Sequence, residues 1–156
     1  MYDNQGSYRL TRRQIALCFA VFALAGCNRR NVPQVTLYIA SDSDELAFRP
    51  DRLSCPAGAH VQLFFHHAGK ILSDPHDWVL LAPGHLKAFL ADADKAPDDT
   101  VIPANDEPMV LAATPLCGKQ HTVMVEFIAP VPGNYDFVCS IAGHGETMRG
   151  ILTVTA

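Results

Sequence analysis

Hydrophobic positions along this chain form one unbroken block near the start and a series of short, spaced runs after it. The block extends from Ile15 to Gly26 behind Arg9, Arg12 and Arg13 and ends on small residues before Cys27, the layout of a secretory signal. It is too short to span a bilayer comfortably. The later runs are rich in β-branched and aromatic residues and are bounded by Gly, Pro, Asn or Asp. They predict strands near residues 35–40, 47–48, 60–65, 77–82, 109–112, 122–127, 134–138 and 150–154. Residues 84–96 instead repeat at helical spacing, with Leu86, Phe89 and Leu90 on one side. About eight short strands and one short helical insertion imply an all-β antiparallel sandwich.

Side-chain parity assigns faces. Tyr135, Phe137 and Cys139 alternate on one strand, so the cysteine follows two aromatics toward the core. In the run 76–82, His76, Trp78 and Leu80 share one face while Val79 and Leu81 share the other. A strand apolar on both sides needs two covers, the core on one face and the helical insertion on the other.

At 156 residues the chain holds one domain's worth of core. The expected organisation is a signal over 1–26, a tether over 27–34 and a globular domain over 35–156. Leu24-Ala25-Gly26-Cys27 resembles the bacterial lipobox, so Cys27 is the expected site of lipidation and the domain an exported, membrane-anchored one outside the cytoplasm. Removing residues 1–26 takes away Arg9, Arg12, Arg13 and Asp3 and moves the formal net charge from −4 to about −6. That balance excludes a broad nucleic-acid footprint and suits a cationic partner. Asp98, Asp99, Asp106 and Glu107 could steer such a partner, although a charge run is usually only a solvated face. In an oxidising compartment three cysteines remain to be placed. Pairing Cys55 with Cys117 would contribute about 4 kcal/mol by closing a long loop; the alternative is two unpaired thiols buried as small hydrophobes.

Cys139, His144 and Met148 offer a soft, a borderline and a soft donor within one Gly-containing loop, a set that favours copper. A second imidazole must come from elsewhere, and His76, after Asp74-Pro75 at the start of an inward-facing strand, is the candidate. His66, His67, His85 and His121 compete with it.

These residues carry a resemblance. "YDFVCSIAGHGETMRGILTV" together with "PHDWVLL" resembles the cupredoxins, and among them the azurins and auracyanins, over roughly residues 35–155. The resemblance implies a Greek-key β-sandwich holding one copper ion that cycles between its monovalent and divalent states. It implies that His76, Cys139 and His144 bind in a trigonal plane with Met148 as a long axial ligand, and that His67 is a nearby non-ligand. Three departures stand out. Pro75 precedes the first histidine, Asp77 replaces an asparagine that ties the ligand segments and is expected to pair with Ser140, and Ala142 replaces a loop proline. Ile141, Ala142 and Leu72 would form a small apolar docking patch around His144. The implied role is a monomeric one-electron carrier in a respiratory or photosynthetic chain, with cytochromes or membrane electron-transfer complexes as partners and no turnover of its own. Copper storage or delivery in the cell envelope is the alternative. The chain contains no His-x-His pair of the kind multicopper enzymes use for further sites.

Overall fold

The computed structural model describes residues 32–71, 74–97 and 99–156. The expected signal, Cys27, most of the tether, Leu72 and Asp98 lie outside the described residues. Alternating burial builds most of the strands. In β1 (Gln34–Asp42), β4 (His60–His66) and β7 (Thr122–Ile128) every second side chain turns inward, and these three share a sheet with β2 (Glu45–Arg49) in the order β2-β1-β4-β7. The second sheet is ordered β3-β9-β8-β5-β6, from β3 (Arg52–Pro56), β5 (Val79–Leu81), β6 (Val110–Ala113), β8 (Gly133–Val138) and β9 (Arg149–Thr155).

The sandwich is mixed rather than purely antiparallel: β1 runs parallel to β4, and β3 parallel to β9. The cause is the path of the chain. After β2 it leaves the first sheet to place β3 at the edge of the second, then returns for β4, so β4 enters in the same direction as β1. The strand β3, absent from the sequence-based set, is a short edge strand that turns only Leu53 and Cys55 into the core and ends on Pro56, where a missing ladder donor is tolerated. The run expected over 77–82 is regular only over Val79–Leu81; ahead of it His76 makes a separate bridge to Cys117.

The parity argument holds. Trp78 and Leu80 join the main core and His76 is buried, while Val79, Leu81 and Val138 pack with Phe89, Leu90 and Ala93 of α1 (Leu86–Ala93). Phe137 lies at the centre of the main core, 5.5 Å from Phe48 and 5.7 Å from Trp78 between ring centroids. Aromatics of this size supply the largest share of burial per residue and fix the separation of the sheets.

Strand directions define two poles. β1 starts, and β7 and β9 end, at the pole where the described chain begins; β8 runs from that entry pole to Cys139 at the other. This geometry corrects the Cys55–Cys117 pairing: both thiols are free and buried. Cys55 lies opposite Val154, about 16 Å along β9 from Arg149, whereas Cys117 is bridged to His76 at the far pole. A disulfide requires Cα atoms within about 7 Å. Burial pushes the Cys55 thiol pKa up, as it does that of Cys117.

Candidate metal centre

Three side chains from two parts of the chain converge at the pole opposite chain entry. The ligating atoms of His76, Cys139 and His144 all lie within 4.8 Å of one another, and all three residues are buried. The Cys139 Sγ is 4.0 Å from His76 Nδ1 and 3.8 Å from His144 Nδ1. A first-row ion bonded at about 2.0 Å to nitrogen and about 2.3 Å to sulfur, at trigonal angles, holds those atoms about 3.8 Å apart. Both sulfur–nitrogen spacings match such an ion to within about 0.2 Å.

Each donor is placed by backbone as well as by packing. His76 exchanges both main-chain hydrogen bonds with Cys117, its N–H donating at 3.1 Å and its carbonyl accepting at 2.7 Å. Cys139 directly follows β8, and its N–H donates to the Met148 carbonyl at 3.0 Å. The loop between them is one tight turn: the N–H of His144 donates to Ile141, and that of Met148 to His144. Gly143 takes φ +76° within it, a conformation that suits glycine. Met148 is fully buried in the same core cluster as Cys139.

The supporting shell is dense. Asp77 accepts the Ser140 N–H at 2.7 Å and pairs with the Ser140 hydroxyl at 2.5 Å, so the expected tie between the ligand segments exists in carboxylate form. His67 stacks on His76 with ring centroids 4.4 Å apart. Its Nδ1 accepts from the Gly69 N–H, which leaves Nε2–H to donate to the Asp74 carbonyl at 3.0 Å, so both nitrogens are engaged and neither faces the cluster. His66, bonded to Thr122, and His121 are likewise outside it, as is His85, the residue before α1.

Burial dominates the electrostatics. It lowers the His76 pKa from 6.5 to about 4, helped by the His67 and His144 imidazoles and opposed by Asp74. Burial, then the Asp77 carboxylate, pushes the Cys139 thiol well above its usual value. Asp77 itself rises from 3.8 to about 6 because burial outweighs the Ser140 hydrogen bonds. Such a pocket opposes a bare thiolate and a bare imidazolium alike; a cation bound between neutral imidazoles is what makes the thiolate stable there.

One set of partners escaped the sequence. Asp94, just past α1, accepts the Gly143 N–H at 3.0 Å, and the Ser140 hydroxyl lies 3.4 Å from the Thr100 carbonyl. A Cβ on Gly145 would collide with Leu90 of α1 and press on the Cys139 carbonyl. The helical insertion therefore braces the ligand loop. The sequence signalled that the face with Leu90 would cover the run 76–82, but not that it would also reach the ligand loop. At the surface, Asp74, Pro75, Ile141, Ala142 and His144 line a depression of about 200 Å³, so two of the three expected docking residues border it. His144, 8% exposed, is the one residue of the donor cluster that lines it.

Residues 35–155 match the family model described as copper binding proteins, plastocyanin/azurin family. Auracyanin-A from Chloroflexus aurantiacus is 34% identical over 123 residues, covering 77% of this chain and 74% of that protein. An azurin from Methylobacillus flagellatus is 32% identical over 117 residues, covering 70% of this chain and 78% of that one. The solved structure of auracyanin A, described as a "blue" copper protein, superposes with a TM-score of 0.70 at 31% identity, covering 78% of this chain and 99% of that structure.

Proposed function

Because the chain belongs to the plastocyanin/azurin family of copper-binding proteins, we propose that it is a one-electron carrier built around a single copper ion held by His76, Cys139, His144 and Met148. The observation that carries this reading is the convergence of one thiol and two imidazoles, all buried, at spacings a trigonal ion fits. Copper, when bound, supplies a couple that gains and loses one electron without a change of ligands.

The protein's own residues do the rest. The two sheets and the α1 brace hold the donors in one arrangement, which keeps the rearrangement accompanying each electron small. Asp77 locks the segment of His76 to the segment of Cys139 through Ser140. The core excludes water from the sulfur. His144 offers the shortest way out, through a ring edge set among Ile141 and Ala142. A small depression in which Pro75, Ile141 and Ala142 sit beside the Asp74 carboxylate suits a brief encounter with a redox protein such as a cytochrome or a membrane electron-transfer complex. Export and a lipid anchor at Cys27 belong to the same reading and rest on the leader sequence.

The test is the visible spectrum of the protein loaded with copper(II), recorded before and after ascorbate. An intense charge-transfer band that bleaches and returns on reoxidation, absent in Cys139→Ser, is expected. Copper that binds without such a band, or leaves on reduction, would point to storage or delivery instead.

A further inference from the structure

Three surface segments of the entry pole carry no charged side chain, and beside them His60 lies 3.8 Å from Glu126. Residues 32–34, 56–59 and 128–134 contain no Asp, Glu, Lys or Arg, in a chain that carries 12 basic and 16 acidic residues. Main-chain hydrogen bonds knit them into one surface: His60 N–H to Pro33, Gly58 N–H to Ala129, and Ala129 N–H to Ala59. On that surface Val32 is 49%, Ile128 59% and Val131 72% exposed. The opposite pole is charged, with Asp74, Lys119 and Glu146 exposed around the metal centre.

What covers the entry pole is indicated by the chain that leads into it. Cys27 precedes Val32 by a stretch that spans at most about 18 Å when fully extended. Arg29 and Arg30 lie within that stretch and favour an anionic surface. The nine residues of β1 set the poles about 30 Å apart, farther than the tether reaches. Resting on the proposed lipidation of Cys27, we infer that the entry pole, with Val32, Ile128 and Val131, seats on the headgroup–acyl boundary of a phospholipid bilayer, so that the metal centre faces away from the membrane. Uncharged apolar side chains on proline-stiffened loops suit that boundary, whereas the charged pole does not. The partner is then met from the aqueous side, as a soluble protein or a protruding domain, and not within the bilayer plane.

The test uses the processed, acylated chain without copper, in phosphatidylethanolamine–phosphatidylglycerol vesicles. Val131→Trp and Ile71→Trp are compared in separate proteins. Ile71 is 81% exposed, as apolar as Val131, and at the metal pole, while the native Trp78 is fully buried and gives a constant background. A lipid carrying a shallow nitroxide should quench the new emission at least about twofold at position 131 and leave position 71 unchanged. Equal quenching at both positions, or none at 131 in protein that floats with the vesicles, overturns the seating. A blue shift at 131 that needs no lipid and grows with protein concentration would assign the pole to a second copy and also overturn it. Protein that fails to float at all would remove the lipid anchor, and the seating with it, a result distinct from flotation without quenching.

Discussion

Replacing Asp77 with asparagine should uncover a pH dependence of stability that the native copper-free protein nearly lacks. Asparagine keeps the shape: its oxygen can still accept the Ser140 N–H, and its amide can donate to the Ser140 hydroxyl, whose own hydrogen then turns to the Thr100 carbonyl. What disappears is the titration. The Asp77 carboxyl holds its proton up to about pH 6 when folded, against 3.8 when unfolded. The folded state is therefore favoured at low pH, and about 3 kcal/mol of that advantage is lost as pH rises from about 4 through 6. His76 acts in the opposite sense. Its folded pKa of about 4 lies below the ordinary 6.5, so its contribution is complete above 6.5 and about 3 kcal/mol is lost as pH falls to 4. In the native protein the two slopes oppose each other over a shared window and the profile is nearly flat. Asp77→Asn keeps only the histidine slope, so its stability should climb by about 3 kcal/mol between pH 4 and 6.5 and exceed that of the native protein at neutrality. Urea unfolding of both proteins at unit steps from pH 4 to 7, with a chelator present and m-values compared, measures this. Parallel profiles would refute the reasoning, because they would mean that the buried carboxylate is not what separates the two.

Three further outcomes follow from the same geometry. Gly145→Ala forces a methyl group into Leu90 and should cost about 1–3 kcal/mol by urea unfolding; Leu90→Ala in the same protein should return part of that loss, giving a coupling energy in a double-mutant cycle. At pH 8, above the ordinary histidine range, copper(II) uptake should release about one proton per ion, from the Cys139 thiol, as read by an indicator dye in weak buffer, and Cys139→Ser should release none. A reductant should leave the melting temperature of the copper-free protein unchanged, because Cys55 and Cys117 sit at opposite poles; a fall of several degrees would mean that they are bridged.

Much was legible in the sequence because it is local. The period of two along residues 134–139 put Tyr135, Phe137 and Cys139 on one face, and all three are buried. The two-faced apolar run at 76–81 required a cover, and α1 supplies it. The spacing of Cys139, His144 and Met148 described one loop, and that loop closes on itself through its own backbone. Other features depend on which segments become neighbours, and no period encodes that. His66, His67 and His76 are near each other in the chain and chemically alike, yet only His76 reaches Cys139; the ring nitrogens of His67 are spent on Gly69 and Asp74. Cys55 and Cys117 looked pairable by count, and the parallel placement of β3 on β9 keeps them apart. The hold of Asp94 on Gly143 arises only after the insertion has folded back over the loop. By itself, the sequence determined the faces, the donor types and the ligand loop, since each is a matter of alternation or short spacing. The tertiary structure set His76, the candidate among several similar histidines, against Cys139, and it alone decided which thiols stay free and which pole gathers the uncharged segments, because those depend on contacts between residues far apart in the chain.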